Sequence, residues 1–235
     1  MSAKEEKTAV IEARVEAQMP AFAVNAVAAI RMQFTGQHLM AAASFSRRVG
    51  EVEQAHAGEQ FGSFFDEILW NASASIMLST AAIESYLNEL IADRAKHFTM
   101  LQGELLDSFW TNHERASLLD KFDLALLLRG EAPLERGAEP ADSMNSLVTL
   151  RNELIHFKPE WSDESKVHAR VSRKLASKVR PSPFLPGENL FPRAWATHSC
   201  TKWAVETAVA FGTHIKTRFG LTGTVFDKLA HRFAP

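Results

Sequence analysis

The feature that most constrains this chain is a run of apolar or small positions spaced by alternating three- and four-residue steps: Phe65, Leu69, Ala72, Ile76, Ser79, Ile83, Leu87 and Leu90. That period is the one an α-helix imposes on its buried stripe, and here it lasts from residue 64 to about residue 93. A long amphipathic helix results, and its stripe must be covered by other helices. Within it, the segment AAIESYLNEL sets Glu84 and Asn88 four residues apart, on one face. A surface or interhelical hydrogen bond accounts for that pair; so does a supporting place at a site.

The remaining segments also read as helices. Residues 4–18 predict a charged helix that Pro20 ends, followed by the Ala-rich stretch 21–30 and a helix over 37–54, with Gly50, Gly58 and Gly62 as uncertain breaks. Residues 113–129 predict a core helix through Leu118, Leu119, Phe122 and Leu126, and 130–140 a loop with two prolines and two glycines. Asp142 or Ser143 is the predicted N-cap of the next helix, whose stripe is Met144, Leu147, Val148, Leu154 and Ile155.

A helix over 163–179 follows, then a proline-rich loop over 181–193 anchored by Phe184, Leu185 and Phe191. The last helix spans 195–219, with Cys200, Trp203, Ala204, Ala208, Phe211, Ile215 and Phe219 on one stripe. Phe226, Leu229 and Phe233 give the tail something to bury. No β-branched alternating run survives these assignments. The expectation is an all-α helical bundle with long antiparallel helices, divided into a helical N-terminal extension (1–60), the bundle (61–220) and a tail (221–235).

Composition narrows the functional classes. With 46% hydrophobic and 23% charged residues over 235 positions, the chain is a soluble globular type, and a formal net charge of −2 carries no whole-molecule signal for nucleic acid. One cysteine, Cys200, excludes an intrachain disulfide and cysteine-rich zinc motifs, and fits a reducing cytoplasm; a small buried apolar role suits it. The first residues are acidic where a targeting peptide is basic, and the most apolar run, 21–30, is about half a membrane span. A cytoplasmic protein with no membrane association is expected.

Charge is concentrated locally instead. On the 163–179 helix, Val167, Val171, Leu175 and Val179 form an apolar row, and Lys166, Arg170, Lys174 and Lys178 form a basic row beside it, joined by Arg173 and Arg180. No acidic residue interrupts residues 166–180. Such a row is either a solvated helix face or a phosphate-contacting one.

The segment 147–159, LVTLRNELIHFKP, brings together Arg151, Asn152 and His156. At 100° per residue Asn152 and His156 share a face, and Arg151 lies about 140° from His156, within reach of a long side chain. Pro159 disfavours helix at Lys158, which puts His156 in the last turn, facing unpaired carbonyls, a position suited to proton transfer. Arg151 falls on the apolar stripe and so needs a partner, Glu84 being one candidate, or a cavity.

RNELIHF resembles the Arg-x4-6-His signature of HEPN domains, the higher eukaryote and prokaryote nucleotide-binding helical bundles. AAIESYLNEL, the helix around KFDLALLL, and the proline-rich loop leading into HSCTKWAVETAVAF are similar in kind and order to bacterial stand-alone members, over roughly residues 64–219. The resemblance implies a homodimeric bundle that cleaves RNA without a metal or other cofactor. It makes His156 the general acid/base, Arg151 the phosphate binder and Asn152 an orienting group, with Glu84 and Asn88 in support. Lys158, Lys166, Arg170, Arg173, Lys174 and Lys178 are then the RNA-binding candidates. It further implies a toxin-antitoxin or defence role with an antitoxin or other protein partner. One departure matters: Lys158 stands where the toxin branch with a nucleotidyltransferase partner has tyrosine, and Tyr86 is the only tyrosine in the chain.

Two alternatives stand beside it. A non-catalytic dimeric module would bind RNA, a nucleotide or a protein partner through the basic row. A di-iron carboxylate bundle would use the two Glu-x-x-His pairs, Glu53 with His56 and Glu153 with His156.

Overall fold

The structure is a computed structural model, and it describes residues 12–18, 25–98, 103–113, 115–159 and 168–235. The chain divides into two compact units, residues 1–34 and 35–235.

The first unit overturns the helical expectation for residues 12–18 and 25–30; the rest of the expected 4–18 and 21–30 segments, 4–11 and 21–24, lies outside the described residues. Strands β1 (Glu12–Gln18) and β2 (Asn25–Arg31) pair antiparallel, with Ala13 opposite Ile30, Val15 opposite Ala28 and Ala17 opposite Ala26. Glu12 to Gln18 alternates polar and apolar residue by residue, the period of a strand, but its apolar members are mostly alanine, a weak strand former. Each arm is also short, and Pro20 between them prevents a continuous helix long enough to propagate.

The second unit is all-α. It starts at residue 35 instead of the expected 61, because α1 (Thr35–Ala55) belongs to the bundle. Gly58 and Gly62 lie in the connection from α1 to α2 (Phe64–Ala92) and mark no domain boundary. The two helices run antiparallel. Arg48 pairs with Glu67 (2.7 Å), the Ser75 hydroxyl donates to the Ala42 carbonyl (3.0 Å), and Thr35 bonds Glu89 (2.8 Å), so positions rise along one helix as they fall along the other. Small residues let the backbones approach. Ala42 and Ala43 of α1 share a fully buried cluster with Val205 of α8 (His198–Arg218), and the hydroxyls of Ser46 and Thr201 meet at 2.8 Å.

Between α2 and α8 lie α3 (Arg94–His97), α4 (Gly103–His113), α5 (Leu118–Leu128), α6 (Ala141–Ile155) and α7 (Ala169–Leu175). The helix expected over 113–129 begins later, because Ser117 caps α5 by accepting from the Asp120 amide (3.3 Å). α6 begins one residue before its expected cap: Pro140 precedes Ala141, and Ser143 donates to Glu139 instead (2.7 Å). α7 is much shorter than the expected 163–179 helix, of which residues 163–167 fall outside the described residues.

α6 packs against α2 and α8, burying Met144, Leu147 and Leu150, and α5 joins through Phe122, edge-on to Phe211 at 5.1 Å. Phe184 and Phe191 anchor the proline-rich loop as expected, while Leu185, the third expected anchor, is only half-buried. The tail is part of this core. α9 (Val225–Lys228) and the turn at Ala230–Arg232 bury Phe226, Leu229 and Phe233, and Phe226 lies so close to Gly212 that a Cβ there would sit 2.0 Å from its ring. Cys200 is buried, which pushes its thiol up to about 12. Among the described residues no helix is long and apolar enough to cross a membrane.

Candidate functional site

α6 and α2 place the central residues. Arg151 projects from α6 and ion-pairs with Glu84 of α2, its side chain 22% exposed and that of Glu84 44%. This is the partner that a charge on the apolar stripe requires. Asn152 and Asn88 are exposed. α6 ends at Ile155; His156 is its C-cap, at φ −107° and ψ 35°, its amide bonded to the Asn152 carbonyl at 2.8 Å. The His156 ring is exposed and makes no hydrogen bond, ion pair or ring contact with the described residues. Its neighbours Ile155 and Phe157 are 50% and 45% exposed, an apolar border on both sides.

The basic row does not form as expected. Lys166 lies outside the described residues. Lys178 turns inward, 12% exposed, and donates to Glu139 (3.1 Å), Asp142 (2.9 Å) and Ser143 (3.0 Å) at the start of α6. Burial works to lower its ammonium, but the Asp142 and Glu139 hydrogen bonds outweigh that and leave it raised. Lys174 donates to Thr149 (3.1 Å) and is lowered by burial and by Arg170. The acids that absorb this charge stand 36 and 39 residues upstream of Lys178. Arg170, Arg173 and Lys158 remain exposed, with Arg173 also donating to the Ala169 carbonyl at 3.4 Å.

Two features were missed. His168 is 1% exposed, with Nδ1 3.2 Å from Glu153 and Nε2 2.9 Å from the Lys158 carbonyl; its ring stacks on Phe157 at 5.1 Å. The second is an open cleft of about 650 Å³ at the start of α8, lined by Glu53, Arg180, His198, Lys202 and Trp203 among others. There Glu53 accepts from the His198 amide (2.9 Å), its carboxyl raised by burial, while the His198 ring bonds the Ser46 carbonyl (3.0 Å). Sequence spacing signals neither, because each joins residues from separate helices.

The di-iron alternative fails on this geometry. Glu53 is committed to His198, and His56 bonds Glu59 (3.1 Å) and stacks on Phe64. Glu153 is committed to His168. Both motif histidines lie just past the ends of their helices, α1 ending at Ala55 and α6 at Ile155, so neither can act mid-bundle. Among the described residues no three His, Cys, Asp or Glu side chains are placed to hold a metal ion.

No protein-family model, curated protein or solved structure matches this chain.

Proposed function

We propose that the chain is a metal-independent endoribonuclease of the HEPN kind, working as a homodimer in a toxin or defence role. The observation that carries this reading is the state of His156: an exposed imidazole without a partner among the described residues, held at the cap of α6 one turn beyond Arg151. Ile155 and Phe157 support the dimer, since an apolar border around a polar site suits burial against a second copy.

In this mechanism Arg151 exchanges the Glu84 carboxylate for the two non-bridging phosphate oxygens, a bidentate partner suited to guanidinium. Asn152 offers an amide donor to the same group. His156 accepts the proton of the ribose 2′-hydroxyl as O2′ attacks the adjacent phosphorus. The bond from phosphorus to the 5′-oxygen breaks, that oxygen takes a proton from the now protonated His156, and the products are a 2′,3′-cyclic phosphate and a 5′-hydroxyl. Arg151 meets the negative charge that builds on the phosphorane oxygens. Arg170, Arg173 and Lys158 steer the RNA. Because Lys158 replaces the tyrosine of one toxin branch, an antitoxin partner would act by binding instead of by modifying a motif tyrosine.

One observation favours a second reading. Glu84 already meets the charge of Arg151, so the motif is electrostatically complete without a ligand. On that basis the chain is a non-catalytic dimeric module that binds RNA, a nucleotide or a protein partner. Cleavage of RNA in excess chelator by wild type, His156→Ala and Arg151→Ala separates the two. Cyclic-phosphate ends from wild type, lost in both variants, support the nuclease; equal cleavage by all three overturns it.

A further inference from the structure

His168 takes no part in that mechanism, yet one buried ring contacts residues on both sides of His156. Glu153 precedes His156 by three residues and bonds Nδ1; Lys158 follows it by two and accepts from Nε2; Phe157 stacks on the ring face with an interplanar angle of 5°. Behind the ring, Phe191 meets it edge-on at 5.1 Å. Phe191 is itself fixed, because the Ser172 hydroxyl donates to its carbonyl (3.0 Å) and accepts from its amide (3.1 Å).

Hydrogen-bond accounting gives this ring a definite form. A carbonyl only accepts, so Nε2 must carry a proton; the contact between Nδ1 and the Glu153 carboxyl is a hydrogen bond only if one further proton lies within it. Both ring nitrogens are therefore engaged, Nε2 by the Lys158 carbonyl and Nδ1 by the Glu153 carboxyl, and the buried ring is held from two sides.

The path of the chain explains why this matters. α6 stops at Ile155, so no intrahelical bond fixes residues 157 and 158, and the His156 ring makes no hydrogen bond, ion pair or ring contact with the described residues. Where that ring stands is set by the backbone leaving the helix. We propose that His168 is the positioning residue of the site: through Glu153, Phe157 and Lys158 it clamps the segment that presents His156. It does a second thing as well. Glu153 stands in the last turn of α6, three residues before His156 at its cap, and a carboxylate released there would compete for His156 or repel an incoming phosphate; pairing with His168 withholds it. The catalytic part of this inference rests on the nuclease reading; the clamp itself does not.

The test compares wild type with His168→Phe, which keeps a ring for stacking and removes both hydrogen bonds, and with Glu153→Ala, which removes only the carboxyl. The ring signals of His156, assigned by their loss in His156→Ala, are followed by nitrogen-proton NMR at a temperature where circular dichroism shows each variant folded. The clamp predicts a slowly exchanging Nε2–H on His168 in wild type, and shifted, broadened His156 ring signals in both variants. It also predicts about a tenfold fall in kcat with KM within about twofold, since small misplacement of a reacting group costs rate more than binding. Unchanged His156 signals, or rapid exchange at His168 Nε2, overturn the clamp. If wild-type cleavage proves independent of His156, the nuclease reading fails, and the NMR result alone decides the clamp. Should His168→Phe not fold, Glu153→Ala decides the His156 signals and the rate, because Glu153 is partly exposed and its loss leaves the ring in place.

Discussion

The two ends of α6 carry similar chemistry to opposite effect. At its start, Lys178 is surrounded by Glu139, Asp142 and Ser143, so its donors have acceptors and the cluster ties the 176–179 turn to the helix. At its end, Arg151 is paired once, with Glu84, and His156 is not paired at all among the described residues. A charged group with its partners in place contributes to stability; one left open can still exchange a partner for a ligand. That distinction separates the two ends of α6, and it can be broken at either one.

The largest effect is expected at the open end. His156→Ala should lower RNA cleavage by about 10²-fold or more, the usual contribution of a proton-transfer group, while shifting stability by no more than about 0.5 kcal/mol, as for an exposed residue. Single-turnover cleavage with parallel thermal denaturation checks both parts. A large loss of stability would mean that His156 is structural after all, and would remove the contrast between the two ends.

The closed end should respond in the reverse sense. Lys178→Ala removes several charge-assisted hydrogen bonds, but Glu139 and Asp142 are exposed enough to rehydrate, so the cost should be about 1–2 kcal/mol, with RNA affinity unchanged. The pH dependence sharpens this. Glu139 is lowered from the ordinary carboxylate range: burial opposes that, and the Ser143 and Lys178 hydrogen bonds outweigh it. Its contribution is therefore present above the unfolded value and lost as pH falls through the depressed one. Lys178 is raised, so its contribution holds through neutral pH and is lost only as pH climbs past the ordinary lysine range. The penalty of Lys178→Ala should thus be flat from about pH 6 to 9 and shrink below about pH 4. Urea denaturation across that range measures it, and a penalty that varies near pH 7 would implicate another group.

Much of this architecture was legible in the sequence, and the exceptions share a cause. The stripe through Phe65, Ile76, Ile83 and Leu87 predicted α2 to within a residue at each end, because a long period averages over local irregularities. The end of a helix just after Arg151 and Asn152 was legible, with α6 stopping at Ile155 and His156 as its cap, and the need of Arg151 for a carboxylate pointed to Glu84. The hairpin of β1 and β2 was missed because alanine carries its alternation. The basic row was misjudged because a run free of acids says nothing about acids on a packed neighbour, and Glu139 and Asp142 belong to α6. His168 was missed for the same reason: its significance comes from Glu153, Lys158 and Phe191, which only the fold assembles around it.

With Lys174 and Lys178 engaged by α6, fewer charges of the basic helix are open to RNA. If only Arg170 and Arg173 face solvent, replacing both by glutamine should reduce the slope of log affinity against log salt by about 1.4, two contacts at about 0.7 each for single-stranded RNA. Replacing Lys174 and Lys178 should leave that slope alone. A slope that falls equally for both pairs would show that the inward lysines leave their partners to reach RNA.

The smallest effect, and the most informative about the open end, is expected from Glu84→Gln. The ion pair it removes is partly exposed, so it should contribute no more than about 1 kcal/mol to stability. That same energy is what a phosphate must overcome to take Arg151 from Glu84. Freeing the guanidinium should therefore tighten RNA binding by up to about fivefold while costing little in melting temperature. Arg151→Ala should abolish the gain, because the effect requires the group that was freed. If Glu84→Gln instead weakens binding, the carboxylate is holding Arg151 in the orientation that the phosphate needs, and the open end of α6 is as fully specified as the closed one.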